Sequence, residues 1–323
     1  MANQINASLI STGSYLPEKI MSNDDLSKIV DTDDAWIFSR SGIKNRHIAA
    51  DGETTSDMAT KAAEDALRNA NMTADDLGGI IVATTTPDLT FPSTASLVQA
   101  KLGVTTQCMA FDVQAVCSGF VYALTTASGL IKGGLNKPIL VIGAEKMSSI
   151  LNWNDRTTCV LFGDGAAAAV LKPTTDDNKG IISTHLHSDG RHADMLKTSG
   201  GPSSTGDTGH LTMQGREVFK FAVEAMSSVV TEALNENNMT SDDIDWLIPH
   251  QANSRIIEST AKKLKMPMDR VVMTLQNHGN TSAASIPLAL DHAMKSGQIK
   301  KGQTLLLEAM GGGFTWGAVI IRY

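Results

Sequence analysis

Asn71-Met72-Thr73-Ala74-Asp75-Asp76-Leu77 recurs as Asn238-Met239-Thr240-Ser241-Asp242-Asp243-Ile244, at a spacing of about 165 residues. Each copy follows an amphipathic helical pattern. In the first, Met58, Ala59, Ala62, Ala63, Ala66, Leu67 and Ala70 share one face; in the second the stripe is Phe219, Ala222, Val223, Met226, Val229, Val230 and Ala233. Each then runs into an apolar strand, Ile80-Ile81-Val82-Ala83 or Trp246-Leu247-Ile248. Further on, Pro138-Ile139-Leu140-Val141-Ile142-Gly143 is matched by Thr304-Leu305-Leu306-Leu307-Glu308-Ala309. Strands apolar at every position are covered on both faces, as in a layered α/β protein. Chance similarity of two helix–turn–strand units is the competing reading, but both order and spacing repeat. The polar run Lys172-Pro173-Thr174-Thr175-Asp176-Asp177-Asn178-Lys179-Gly180 marks the boundary, dividing the chain into halves 1–174 and 175–323. Ser199–Asp207, rich in Gly and Ser, reads as a surface loop.

The 323 residues are 42% apolar and 19% charged, with a formal net charge of −7. That suits a globular enzyme and gives no reason to expect nucleic-acid binding. No run approaches the roughly 18 apolar residues of a membrane span. Met1–Asn6 lacks the basic-then-apolar layout of a signal peptide. Three cysteines cannot frame a disulfide scaffold, so a reducing cytoplasm is expected.

One of the three stands apart. Ala110–Val116 reads as a buried strand, Cys117-Ser118-Gly119 follows at once, and Phe120-Val121-Tyr122-Ala123-Leu124 opens a helix. Between a strand end and a helix start, unpaired N–H groups and the helix dipole favour thiolate, the attacking species. A small buried hydrophobe is the ordinary alternative, and it is the reading adopted for Cys108 and Cys159. His250, in Pro249-His250-Gln251-Ala252-Asn253, projects just past a strand that the proline ends. Asn280, in His278-Gly279-Asn280-Thr281-Ser282-Ala283, sits in a polar turn opening a helix of small residues and donates hydrogen bonds without ionising. Alone, each is more often structural. In the duplicated frame the Cys117 and Asn280 turns are equivalent strand–helix junctions, and a pseudo-twofold would bring them and His250 together.

Ala115-Val116-Cys117-Ser118-Gly119-Phe120, Pro249-His250-Gln251-Ala252-Asn253, His278-Gly279-Asn280-Thr281-Ser282-Ala283 and Gly311-Gly312-Gly313-Phe314-Thr315-Trp316-Gly317 together resemble the motif set of the β-ketoacyl-[acyl carrier protein] synthase III family. The similarity runs from Gly13-Ser14-Tyr15-Leu16-Pro17 to the last strand. It implies the thiolase fold, two pseudo-symmetric halves in an α-β-α-β-α layered arrangement. It also implies an acyltransferase that starts fatty acid synthesis. Cys117 would take an acyl group from an acyl-CoA primer, acetyl-CoA by preference. Malonyl-acyl carrier protein would lose CO2, and its enolate would attack the acyl-Cys117 thioester. His250 and Asn280 would hold the thioester oxygen of the malonyl group. The oxyanion hole of the acyl intermediate would be the N–H groups of Cys117 and Gly312.

The resemblance further places Trp36 and Arg156 on either face of the CoA adenine, with Thr32, Arg40 and Asn253 along the pantetheine and phosphate route. Asn154-Asp155 before Arg156 departs from the usual residues. Phe91, reaching across from a dimer partner, and Met310, where phenylalanine is common, would end the acyl pocket, and methionine's flexibility suits a deeper one. Lys220, Gln251, Arg255, Lys262 and Lys263 would form a local basic dock for an acidic carrier protein. A homodimer is implied, and CoA enters as substrate, so no cofactor is expected. The alternative is a polyketide-type or longer-chain condensing enzyme on the same fold. Thiolases need a second cysteine near the C-terminus, elongating synthases use Cys-His-His, and the intact triad disfavours a non-catalytic scaffold. His185-Leu186-His187 share a strand face, but no third ligand stands nearby in sequence, so no metal is expected.

Overall fold

The computed structural model describes residues 5–323; residues 1–4 of the N-terminal stretch read for a leader lie outside them. Both copies of the repeated unit fold alike. Thr54 caps the helix Thr55–Asn69 in a capping box with Asp57, and its stripe of Met58, Ala59, Ala62, Ala63, Ala66 and Leu67 is buried. The chain then turns through Asn71 at φ 52°, the left-handed conformation that asparagine tolerates, and Asn238 does the same at φ 53°. Each turn continues into a single turn of 3-10 helix, Ala74–Asp76 or Ser241–Asp243, each with its own Thr–Asp capping box.

Two sheets follow from this. One orders the strands Asn6–Tyr15, Asp164–Thr174, Ile139–Lys146, Gly79–Ala83 and Met109–Val113, the last three parallel. The other orders Trp246–Pro249, Thr304–Gly311, Thr315–Arg322 and Gly180–Ser188. Every strand of the first lies within residues 6–174 and every strand of the second within 180–322.

The helices Gly119–Lys132 and Ser285–Lys295 lie between the sheets, burying Phe120, Leu124 and Ile131 with Ile286 and Leu290 against Ile81, Val141, Leu305 and Leu307. Each such side chain contributes roughly 1.5–3 kcal/mol. Thr55–Asn69 covers the outer face of one sheet. Gly215–Glu236 and Ser254–Lys263 cover the outer face of the other. Five layers result. At Gly13 an added Cβ would lie 2.1 Å from Ala66 N, so only glycine lets this strand seat on its helix.

Two readings need correction. The strand expected over Ala110–Val116 spans Met109–Val113 and is half-buried throughout, because it forms a sheet edge. Phe219, placed in the core stripe, is exposed and lies at a cavity, on the first turns of its helix before that helix reaches the sheet. Ser199–Asp207 is the exposed surface loop expected, at the tip of a small ribbon pairing Leu196–Thr198 with Leu211–Met213. Among the described residues no helix is long and apolar enough to cross a membrane.

Candidate active site

The pseudo-symmetry has its sharpest expression at two junctions. Val116 and Ser282 both adopt φ 49°, each at the start of a 3-10 turn (Val116–Ser118 and Ser282–Ala284) that leads into a central helix. A left-handed β-branched residue is rare, and the strain is held by the surroundings. Ser118 Oγ donates to Ala115 O at 2.7 Å and bonds Thr315 Oγ1 at 2.8 Å. An added Cβ at Gly311 would lie 2.6 Å from Cys117 N. Of the three glycines it is Gly311 that packs on the Cys117 amide, while Gly312 packs against Leu196 O.

Cys117, His250 and Asn280, separated widely in sequence, line one cavity enclosing about 750 Å3 of empty space, its open mouth included. Its walls are mainly apolar and include Met147, Leu196, Met213, Met226 and Met310. Asn253 lines it as well.

His250 is buried, its backbone N–H bonded to Glu308 O at 2.8 Å. Nδ1 lies 2.6 Å from Ser285 Oγ, which also accepts from Gln251 N at 3.3 Å. Among the described residues the Ser285 hydroxyl has no other acceptor for its proton, so Ser285 is assigned as the donor to Nδ1, with the ring proton on Nε2. Burial lowers the imidazole to about 3, which keeps it neutral at physiological pH. Asn280 Oδ1 accepts from Ser282 N at 2.9 Å, leaving the amide nitrogen as the end available to the cavity.

The expectation of a resting thiolate is not met. Burial pushes the Cys117 thiol up to about 12; the hydrogen bond from Ser282 opposes it, and a lesser raising by Glu145 and lowering by the Cys117 N–H follow. The apolar cavity outweighs the helix start. Sequence reading missed Glu145. It is fully buried, accepts from Thr86 Oγ1 at 2.6 Å, Thr85 N at 3.0 Å and Ser282 Oγ at 3.0 Å, and is raised by burial to about 7. Ser285 was missed too. Both act through partners far away in the chain.

Of the predicted CoA residues only Asn253 lines the cavity; Thr32, Trp36, Arg40 and Arg156 lie outside its lining. Arg156 lies over the Trp36 ring at 5.3 Å and Arg40 over it at 4.6 Å. Arg156 also donates to Asp31 O at 2.6 Å, so the slot expected to take the adenine is filled by the arginine itself. Thr32 is half-buried beside Asp31. Asn253 caps the helix Ser254–Lys263 through Arg255 N and donates to Arg40 O at 2.8 Å.

Lys220, Lys262 and Lys263 are exposed, and among the described residues none pairs with a carboxylate. Arg255 is exposed but donates to Ser39 O at 2.7 Å. Gln251 is no docking residue. It is 0% exposed, and its amide bonds Pro249 O, Val272 O, Thr274 N and Leu275 N, bracing the turn beneath His250. Phe91 is 83% exposed and does not line this chain's own cavity, which Met310 does. Cys159 is buried as expected, whereas Cys108 is half-buried at the margin of its cluster.

Comparison with known proteins agrees with this geometry. A family model described as 3-oxoacyl-[acyl-carrier-protein (ACP)] synthase III matches residues 111–190, and one described as its C terminal part matches 234–323. A β-ketoacyl-[acyl-carrier-protein] synthase III of Thiobacillus denitrificans is 58% identical, with 98% of each chain covered. One from Xanthomonas campestris pv. campestris is 56% identical over 100% of both. The crystal structure of a 3-oxoacyl-[acyl-carrier-protein] synthase III from Aquifex aeolicus superposes with a TM-score of 0.94 at 48% identity, covering 98% of this chain and 100% of that one. With its thiolase fold and relatives this similar over their full length, the chain belongs to the β-ketoacyl-[acyl-carrier-protein] synthase III family.

Proposed function

We propose that this chain starts fatty acid synthesis by condensing an acyl-CoA primer, acetyl-CoA by preference, with malonyl-acyl carrier protein through an acyl-Cys117 intermediate. The observation that carries the mechanism is the convergence of Cys117, a neutral His250 and Asn280 on one cavity.

Cys117 Sγ attacks the acyl-CoA thioester carbon, the C–S bond to CoA breaks, and the Cys117 proton leaves with the CoA thiolate. The N–H groups of Cys117 and the glycine turn stand as the oxyanion donors of that step. In the second half the malonyl carboxylate departs as CO2, and the electron pair becomes an enolate. Its oxygen takes hydrogen bonds from His250 Nε2–H and the Asn280 amide. The enolate carbon then attacks the acyl-Cys117 carbonyl, and the thiol is regenerated with one proton from solvent. A neutral imidazole suits this chemistry, since it donates without drawing a full charge into an apolar site. Asn280 cannot serve as a base, which fits decarboxylation rather than proton abstraction as the source of the carbanion.

The carrier dock is assigned to Lys220, Lys262 and Lys263, with Arg255 at its inner edge. Trp36, Arg156, Arg40, Thr32 and Asn253 are assigned to CoA, with Arg156 lifting off Trp36 to admit the adenine. We assign a homodimer in which Phe91 reaches the partner's acyl pocket, and a reducing cytoplasm for the three unpaired cysteines. Mixing enzyme, acetyl-CoA and malonyl-acyl carrier protein tests the whole reading. Acetoacetyl-carrier protein and CO2 in equal amounts are expected, and malonyl consumption without a primer-dependent product would refute it.

A further inference from the structure

His185 and His187 alternate along the strand Gly180–Ser188, so both face the same side of the sheet. The sequence offers no third ligand beside them, but the fold supplies two. Glu232 and Glu236, one turn apart on the helix Gly215–Glu236, lie over that face. His185 Nδ1 stands 3.3 Å from Glu232 Oε1 and 3.5 Å from Glu236 Oε2, and His187 Nε2 stands 2.7 Å from Glu232 Oε2. Donor atoms of His185, Glu232 and Glu236 all lie within 4.8 Å of one another.

We propose that this cluster binds a divalent transition-metal ion of the zinc class, held by His185, Glu232 and Glu236, with His187 bracing Glu232 from outside.

Three observations argue for an ion rather than a plain hydrogen-bonded group. Ligand atoms about 2.0–2.1 Å from a tetrahedral ion lie roughly 3.3 Å apart. The two His185 separations match that edge, and they are long for charge-assisted hydrogen bonds. Secondly, the back of His185 is already braced. Its Nε2 lies 3.0 Å from Ser183 Oγ, and Asn237 Nδ2 bonds the same hydroxyl at 2.7 Å. This brace holds the ring with Nδ1 aimed at the carboxylates, and on metal binding the ring proton would sit on Nε2 and be donated to Ser183, the outer support that ligating histidines have. Thirdly, Glu232 and Glu236 are like charges one turn apart, and among the described residues neither has a Lys or Arg partner. A dication would balance them.

An imidazole beside two carboxylates favours zinc, cobalt or nickel over magnesium or calcium, which take oxygen ligands. His185 is buried and Glu236 is exposed, which gives a closed inner wall and an entry side. The site lies on the edge strand opposite the one that carries His250, so it is separate from the chemistry. It would clamp that edge to the helix whose earlier residues Ala222 and Met226 wall the catalytic cavity. Its role is structural.

The test uses the full-length enzyme, stripped with chelator and titrated with Zn2+ by calorimetry, with bound metal counted after dialysis. One equivalent per chain is expected, with a rise in thermal midpoint. Glu236→Gln, at an exposed position, leaves the fold intact, and it and His185→Ala each weaken binding by at least about 100-fold, since even outer-shell partners are worth about 10–100-fold. Cys117→Ala keeps the equivalent, which separates this site from metal capture by the active-site thiol. Zero stoichiometry overturns the proposal. So does an equivalent that survives both cluster substitutions or that vanishes with Cys117→Ala.

Discussion

His250 Nδ1 lies 2.6 Å from Ser285 Oγ, and that hydroxyl also accepts the Gln251 N–H. The serine therefore decides which imidazole nitrogen bears the proton, and it aims Nε2–H at the cavity. Ser285→Ala is expected to lower the condensation rate about 10- to 100-fold, less than the roughly 100- to 1000-fold cost of deleting an oxyanion donor outright. Acyl transfer from acyl-CoA to Cys117 should change little. Single-turnover assays of the two halves check this, and an equal loss in both would assign Ser285 to general stability.

Cys117 rests as a thiol. Its thiolate fraction grows about tenfold per pH unit until the pH nears 12. The rate of alkylation by iodoacetamide, followed by mass from pH 6 to 10, should therefore climb without levelling. A plateau below pH 8 would mean that the helix start and polar neighbours prevail over burial.

Glu308 is fully buried, among the described residues neither carboxylate oxygen has a hydrogen-bond partner, and burial raises it from 4.5 to about 8. Below 4.5 folded and unfolded chains both hold the proton, so the group is neutral to stability. Between 4.5 and 8 only the unfolded carboxylate ionises, and stability falls as pH rises through that window, by a few kcal/mol in all. Glu308→Gln removes this dependence. Relative to the parent, its denaturant midpoint should gain steadily from pH 5 to pH 8; a pH-independent difference between the two would contradict the assignment.

Lys263 is exposed beside Lys262 on the helix that follows the His250 turn. Lys263→Glu should raise KM for malonyl-acyl carrier protein several-fold, more at low salt than at high, while leaving acyl-CoA loading unchanged. An equal effect on both substrates, or none, would move the dock elsewhere.

The repeated unit was legible because its signals are local. A Thr–Asp capping box, a left-handed asparagine and an apolar run lie within a dozen residues, and each copy carries them. The Cys117 and His250 turns were legible for the same reason, each lying just past a strand end; the Asn280 turn, expected at a strand–helix junction, instead follows the short helix Leu275–His278 and was legible from its polar glycine turn. What escaped depends on pairing across the fold. Glu145 meets Ser282 from the other half of the chain, and Ser285 meets His250 across a helix start. Gln251 was misread because its neighbour His250 faces the cavity while its own amide turns under to four backbone groups, and no periodicity in a short irregular segment records that. The glutamates that face His185 belong to a helix whose pattern announces only its apolar side.

The central claim is that Cys117 carries the acyl group. Intact-protein mass after incubation with acetyl-CoA and a panel of longer and branched acyl-CoAs tests it directly, with Cys117→Ala alongside. One acyl group per chain, absent in the variant and retained in Asn280→Ala, is the predicted result. No acylation by any acyl-CoA, or acylation that persists without Cys117, would contradict it.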